Sequence, residues 1–335
     1  MRPPAGKPWA PLAKTQYFYD LTPERIHGAF ASAGLEIKAG VTFLNSMENR
    51  VVRVEDVEGE RWVAKFYRPG RWNIETLREE HDFVFELFDE GLPMVCPRPL
   101  RTRTGVETIG ETVGIFFAVF PFQPGRQPDE MDGPLAHTVG NLLGQMHQIG
   151  YDYDFRHRPK LGPAYWGLDA LAILEQEAVV PRDLWPNYRG QVQKLVERVQ
   201  KRFERETPLR IHGDLHRGNL LITSQGPVLV DFDDCGMGPA VQDMWLLVPG
   251  RDSEAQELRQ LMLEGYQQHL AFDRRQFELV EPLRALKFVH YAAWVARRRH
   301  DPAFRRLFPD VESPAFWRRE LDELRGQIGL LGSSF

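Results

Sequence analysis

The stretch that most constrains this chain is "LRIHGDLHRGNLLIT", residues 209–223, followed closely by "PVLVDFDD", residues 227–234. Apolar residues frame the first: Leu209 and Ile211 before it, Leu220, Leu221 and Ile222 after it. Between them stand His212, Asp214, His216, Arg217 and Asn219. Buried polar groups are costly unless paired, so the segment is either a solvated turn or a place where polar groups converge on a ligand. Val228, Leu229 and Val230 read as a short buried strand ending in Asp231, with Asp233 and Asp234 just behind. Oxygen side chains beside a strand end suit a hard cation such as Mg2+, which takes one or two of them and completes its shell with phosphates and water. Asn219 and Asp231 can supply those oxygens, and Asp214 can accept a proton from a hydroxyl.

The rest of the chain sets the frame. Its 335 residues suffice for two domains or one large two-part unit. A hydrophobic fraction of 42%, a charged fraction of 27% and a net charge of −5 are ordinary for a soluble globular protein and predict no nucleic-acid partner. The two cysteines, Cys96 and Cys235, form no C-x-x-C and point to a reducing, cytoplasmic setting. There is no apolar leader in "MRPPAGKPWAPLAK" and no run long enough to span a bilayer, so no membrane partner is expected. A monomer is expected.

Residues 1–20 read as an irregular, Pro-rich arm. Thr22 is placed to N-cap a helix running to Leu35. Leu35 to Asn45 alternates like a strand. "RVVRVED" and "RWVAKFY" flank "VEGE" as a hairpin. Helical spacing of Leu77, Phe83, Val84, Leu87 and Phe88 marks a helix over 74–90. Two or three further strands end in "VGIFFAVF", residues 113–120, and "PFQPGRQP" marks a boundary. Helical patterns then dominate: 134–149, 167–178, 187–205, 239–248, 253–271, 279–300 and 314–330. The expected organisation is an α+β, two-lobed protein: a strand-rich lobe over 21–121, with an antiparallel sheet and a helix, and a helical lobe over 122–335.

The spacing carries the chemistry. H-x-D, an Asn five positions later, a short strand and then D-F is the layout of a kinase catalytic loop with its metal-binding Asp. A phosphotransferase also needs a cation on the nucleotide phosphates. Lys65 lies in the hairpin strand "WVAKFY", and alternation puts it on one face with Val63 and Tyr67, opposite Trp62, Ala64 and Phe66. Its acidic partner is Glu79 or Glu80 in "REEHDF", with Glu80 favoured.

These stretches together resemble the stress response kinase A family, bacterial Ser/Thr protein kinases of the aminoglycoside phosphotransferase and choline kinase group, with a protein-kinase-like fold. The resemblance rests on "LNSMENRVVRVE", "WVAKFYRPGRW", "EEHDF", "FFAVFP", "HGDLHRGN", "VDFDD", "GPAVQDMW" and "EPLRALKFVHYAAWVARRR", spread over most of residues 20–320. It implies ATP and Mg2+ as cofactors. Asp214 would be the proton acceptor, Asn219 and Asp231 the Mg2+ ligands, and Ser46 a neighbour of the ATP phosphates. Residues 118–121, among them Val119 and Phe120, would present backbone groups to adenine, and Asp243 would brace the catalytic loop. The acceptor would be a Ser or Thr hydroxyl of protein, including this chain's own Ser333 or Ser334, in a response to stress. Three features depart from the commonest kinase pattern: there is no G-x-G-x-x-G, Gly213 stands where H-R-D has Arg, and Asp233 stands where D-F-G has Gly.

Other chemistries fit less well. D-x-H, as in Asp214-Leu215-His216, opens metallophosphoesterase sites, but no second G-D and no G-N-H follow. His212 and His216 lack the helix and the Glu of a zinc site. A pseudokinase would usually have lost the Lys or one of the two Asp residues. A small-molecule kinase acting on an aminoglycoside, choline or homoserine hydroxyl shares the same loop and is the alternative. Trp166, Trp185, Trp245, Tyr291 and Trp294 could build an aromatic cage for such an acceptor, or simply pack a core. His147 reads as a helix histidine with a satisfied hydrogen bond, and "ARRRH", 296–300, as a solvated helix end.

Overall fold

The computed structural model describes residues 18–102 and 105–331. Most of the expected N-terminal arm, and Ser333 and Ser334, lie outside these residues. The chain forms two compact units. Among the described residues, one comprises those up to 127 together with 156–158 and 219–233; the other comprises 128–155, 159–218 and those from 234 on. The chain leaves the first unit at 127/128 and returns to it twice, at 156–158 and 219–233. Residues 219–233 form a hairpin that packs with the first unit, which turn signals alone cannot reveal.

In the first unit, α1 (Pro23–Ser32) precedes β1 (Ile37–Leu44), β2 (Arg50–Asp56) and β3 (Arg61–Phe66). Thr22 holds the N-cap position of α1, but its hydroxyl makes no capping bond. The turn between β2 and β3 closes on Asp56, whose carboxylate accepts the amides of Glu58 (3.0 Å) and Glu60 (2.8 Å) and the indole N–H of Trp62 (2.8 Å). Then come α2 (Ile74–Asp89), β4 (Leu100–Thr102), β5 (Gly105–Glu107), β6 (Gly110–Thr112) and β7 (Ile115–Pro121). Four strands thus replace the two or three expected, because three of them are only three residues long. The sheet runs β1-β2-β3-β7-β6, with every pairing antiparallel. One face buries Val52, Ala64, Phe66 and Val119 with Ile26 and Phe30 of α1. Tyr67, Trp72, Leu77 and Ala118 pack together on the other. Leu77, Phe83, Val84 and Leu87 of α2 are buried as their spacing predicts, whereas Phe88 is exposed.

The second unit is mostly helical: α3 (Gly133–Tyr151), α4 (Ala170–Glu177), which continues a π-helical turn at Ala164–Asp169, and α5 (Trp185–Phe203). A short strand β8 (Leu209–Ile211) leads to the polar loop. The chain then enters the first unit as the hairpin β9 (Leu220–Thr223) and β10 (Gly226–Leu229). It returns as β11 (Gly236–Gly238), paired with β8, and continues through α6 (Gln242–Trp245), α7 (Ser253–Tyr266), α8 (Val280–Arg298), α9 (Pro302–Leu307) and α10 (Pro314–Gly329). The helix expected over 239–248 shrinks to one turn, and α9 is an addition. Helices α3 and α7 meet backbone to backbone: a Cβ on Gly140 or Gly144 would overlap the carbonyl of Met262 or Tyr266. The arginine run at the end of α8 is not solvated. Arg297 and Arg298 are buried, and Arg299 pairs with Glu177 (2.5 Å) and Glu312 (3.3 Å). Among the described residues no helix is long and apolar enough to cross a membrane.

One surface of this unit gives a stability prediction. Burial, with help from Glu323, pushes the Glu320 carboxyl of α10 up to about 7. A raised folded-state value means that the unfolded chain ionises first as pH rises, so stability falls between about pH 4.5 and 7 and levels off above. Glu320→Gln removes that loss. We expect it to stabilise the protein by about 1–2 kcal/mol at pH 8 and by little at pH 4.5, after discounting for partial exposure. Chemical denaturation at the two pH values checks this; an equal change at both would mean that Glu320 does not titrate as described.

Candidate active site

The first unit gathers charge around Lys65. Lys65 lies on the central strand β3, paired with Val51 of β2 and Ala118 of β7, and is 7% exposed. Alternation turns its side chain away from the Ala64–Phe66 face. Its Nζ lies 2.7 Å from Asp231 Oδ1, 3.4 Å from Asp233 Oδ1 and 3.5 Å from Glu80 Oε1. Burial alone would lower the Lys65 pKa, but these carboxylates outweigh it and raise it well above the usual lysine value. The ammonium is therefore kept charged.

Helix α2 resolves the choice between its two glutamates. Asn73 caps the helix by accepting the Thr76 amide (2.8 Å), and Leu77, Phe83, Val84 and Leu87 form its buried face. Glu80 then faces Lys65 and also takes a 2.6 Å hydrogen bond from Arg158 Nη2. Glu79, one residue back, accepts the backbone amides of Arg156, His157 and Arg158 at 2.7, 2.8 and 2.9 Å. Glu79 thus fixes the short segment that delivers Arg158, and Glu80 uses it. Arg158 Nη1 donates to the Asp233 carbonyl (2.8 Å), and its guanidinium lies over the Trp72 ring.

Asp231 follows the β9–β10 hairpin, with the Val230 amide bonded to the Asn219 carbonyl at 3.1 Å. That bond brings the backbone of Asn219 to within one residue of Asp231. Asp231 has φ of +65°, a left-handed conformation that costs a non-glycine residue about 1 kcal/mol or more and is typical of places where a side chain must be aimed. Its side chain is 48% exposed, whereas those of Lys65, Glu80 and Asp233 are 9% or less. Among these carboxylates Asp231 is the one that presents an oxygen to solvent.

Asp233, in the glycine position of D-F-G, is a structural hub. Its carboxylate pairs with Arg71 and accepts from Asn49 Nδ2 (3.2 Å). Burial acts to raise its pKa, but Arg71, Lys65 and Arg158 hold it well below the usual carboxylate range. Asn49 closes the 45–49 loop: its Oδ1 accepts the Arg68 amide (3.0 Å), and its own amide lies 3.3 Å from Ser46 Oγ. Arg68 also donates to the carbonyls of Glu48 (2.8 Å) and Met47 (3.1 Å). This loop, which has no G-x-G-x-x-G, keeps its shape through side chains.

On β7, strand register distinguishes Val119 from Phe120. Tyr67 donates to the Phe116 carbonyl and Phe122 to the Arg61 carbonyl, so even-numbered residues of β7 direct their N–H and C=O toward β3. The backbone N–H and C=O of Phe120 therefore face β3. The outer edge belongs to Val119, whose carbonyl accepts the Arg98 amide (2.7 Å), and to Pro121, which has no N–H.

In the second unit, the loop after β8 is built around Asp243, which is fully buried. Its carboxylate accepts the amides of His212 (2.7 Å) and Gly213 (2.8 Å) and contacts His147 Nε2 (3.0 Å), whose other nitrogen meets the Tyr266 hydroxyl (3.1 Å). His147 is a satisfied core histidine. Gln242 adds a bond to the Gly213 carbonyl (2.9 Å). Gly213 has φ of +84°, and a Cβ there would overlap the Asp234 carbonyl. An arginine cannot stand at that position. His212 Nδ1 receives the Asp214 amide at 3.4 Å, within the loop.

Asp214 itself pairs with Lys287 of α8 (Oδ1 to Nζ, 2.8 Å) and has His216 Nε2 3.8 Å from Oδ2. Burial works to raise its pKa; Lys287 first, then His216 and His212, outweigh this and bring it to about 2. Sequence reasoning assigned no role to Lys287, Arg158 or Arg71, although Arg71 stands in "WVAKFYRPGRW" and Lys287 in "EPLRALKFVHYAAWVARRR". The chain passes from Asp214 in one unit to Asn219 in the other within five residues.

The sequence profile of the phosphotransferase enzyme family matches residues 40–280. Stress response kinase A of Escherichia coli K12 is 36% identical over 304 residues, covering 90% of this chain and 91% of the relative. The Salmonella typhimurium protein named serine/threonine protein kinase RdoA is 36% identical over 315 residues, 94% of each. Among solved structures, the amicoumacin kinase hAmiN, in complex with AMP-PNP and Ca2+, matches with a TM-score of 0.72 at 20% identity over 94% of this chain and 95% of that one. Choline kinase LicA from Streptococcus pneumoniae matches at 0.60 and 15% identity, over 90% and 98%. At such identities these likenesses speak for the fold, which is α+β and protein-kinase-like. The chain belongs to the phosphotransferase enzyme family and, within it, to the stress response kinase A family. It is a kinase.

Proposed function

We propose that this chain transfers the γ-phosphoryl group of ATP to Ser or Thr hydroxyls of protein, as part of a stress response in the cytoplasm. The observation that carries the reading is Lys65, buried, charged and held between Glu80 and the half-exposed Asp231. A buried lysine with carboxylates arranged this way is a phosphate-binding cation kept in place. Asn219 and Asp231 contribute oxygen donors, the chemistry that suits Mg2+ when its remaining positions go to phosphate and water. When bound, that cation would neutralise developing charge on the phosphates. Asp231 and Asn219 would hold it, Lys65 would supply the positive charge for the nucleotide phosphates, and the 45–49 loop with Ser46 would cover them. Asp214 orients the acceptor hydroxyl and takes its proton.

Two findings favour a protein acceptor over a choline-like amine. The relative from Salmonella typhimurium is named a serine/threonine protein kinase. The candidate cage aromatics are also matched to this chain's own cations: Trp166 to Lys287 (5.5 Å), Trp245 to Arg284 (5.0 Å) and Trp294 to Arg298 (5.2 Å). We expect phosphoserine or phosphothreonine to form on this chain or on added protein after incubation with Mg2+ and ATP, and not with the Asp214→Asn form. Mass spectrometry reads the result. Rapid turnover of an amino alcohol or aminoglycoside with no protein phosphorylation would replace the protein acceptor with a small one.

A further inference from the structure

Lys287 has no part in the motifs that define the loop, yet its ammonium lies 2.8 Å from Asp214 Oδ1. Its side chain is 20% exposed, and its Nζ lies 5.5 Å from the ring centre of Trp166, itself buried. Among the described residues Asp214 is the one carboxylate it pairs with. The pair does little for the loop's shape, which Asp243 and Gln242 already fix through hydrogen bonds of 2.7–3.0 Å to His212, Gly213 and His147. A partly exposed ion pair also contributes only about 0–1 kcal/mol to stability. What the pair does change is Asp214's chemistry. With Lys287 on it, the carboxylate sits at about 2 and is a weak proton acceptor.

We propose that Lys287 is a catalytic residue whose ammonium passes from Asp214 to the oxygens of the phosphoryl group as that group reaches the acceptor hydroxyl. This rests on the reading of Asp214 as proton acceptor. The acceptor oxygen forms a bond to the γ-phosphorus, and the bond from that phosphorus to the β-phosphate oxygen breaks, its electron pair leaving with ADP. The hydroxyl proton passes to the Asp214 carboxylate and from there to solvent. Lys287 keeps its protons throughout. Its departure removes the cation that depresses Asp214, so the carboxylate becomes a better acceptor when the proton must move. The face of Trp166 holds the ammonium within reach by a cation–π contact. A charge aimed at the transferring group is worth most in the transition state.

The test compares Lys287→Met, Lys287→Arg and Asp214→Asn in the full chain, with Mg2+ and ATP and dephosphorylated casein as acceptor, or water where casein is not used. Lys287→Met should lower kcat by about 10²–10³-fold, the scale for losing one transition-state contact, with KM for ATP within about twofold. Lys287→Arg should recover a large part of it. Without its cation Asp214 titrates higher, so the acid limb of the Lys287→Met pH–rate profile should move to higher pH. A kcat within about threefold of the parent, or an unshifted acid limb, would overturn the role of Lys287. So would a loss that tracks a lower melting temperature and is not rescued by Arg. Undiminished turnover in Asp214→Asn would instead remove the reading on which the role rests.

Discussion

Asp214→Asn should cut turnover by about 10²–10⁴-fold while leaving ATP affinity nearly intact. Asn keeps the size and polarity of the side chain and loses its ability to take a proton. The loop around it should not move, because His212 and Gly213 hang on Asp243 rather than on Asp214. Nucleotide affinity should persist because Lys65, Glu80, Asp231 and Asn219 all belong to the other unit. The variant does lose the pairing with Lys287. A depressed folded-state pKa marks stability that is present above about pH 4 and disappears as pH falls toward 2. At pH 7 that loss should be about 1 kcal/mol, given that a third of the carboxylate is exposed. Steady-state kinetics, nucleotide titration and a melting curve separate these effects. If ATP affinity collapsed with the fold intact, Asp214 would be a nucleotide-binding residue and the proton acceptor would lie elsewhere.

How much of this site the sequence disclosed follows from where each residue's partners lie. Asp214, Asn219 and Asp231 stand within 18 residues, because one loop and one hairpin carry them, and fixed spacing makes them legible. Lys65 was legible through alternation in a strand, since placing it beside Tyr67 opposite Ala64 and Phe66 required no tertiary knowledge. Glu79 and Glu80 could not be told apart. They are neighbours on a helix, and only the positions of Lys65 and of residues 156–158 assign their roles. Arg158 meets Glu80 across 78 residues, Arg71 meets Asp233 across 162 and Lys287 meets Asp214 across 73, so no short window of sequence holds both members of any of the three pairs. The arginines ending α8 misled for a related reason. A basic helix end is normally wet, but here Arg298 lies over Trp294 and Arg299 is taken by Glu177 and Glu312. The direction of the Val119 and Phe120 backbone groups was not legible, because it depends on which neighbour pairs with β7, and hydrophobic pattern does not encode that.

Arg158→Met should destabilise the protein by about 3–5 kcal/mol, the usual cost of removing one partner from a buried charge pair. That is a large share of the roughly 5–15 kcal/mol that holds a domain together. The Arg158 side chain is fully buried, and that of Glu80 is 4% exposed. Without the guanidinium, Glu80 keeps only Lys65, at 3.5 Å, and Lys65 is shared with Asp231 and Asp233. The Asp233 carbonyl loses its 2.8 Å donor as well. Met fills much of the volume, so the loss is mainly electrostatic rather than a cavity. Its pH dependence identifies the cause. Burial already raises the Glu80 pKa, and Lys65 and Arg158 hold it down. Removing Arg158 lets it rise further, so the folded variant takes a proton on Glu80 at a higher pH than the unfolded chain does. The deficit should therefore be largest near pH 8 and shrink toward pH 5.5 as Glu80 becomes neutral. Denaturant midpoints for parent and variant at both values give the answer; a deficit independent of pH would mean that Arg158 acts through packing on Trp72, not through its charge.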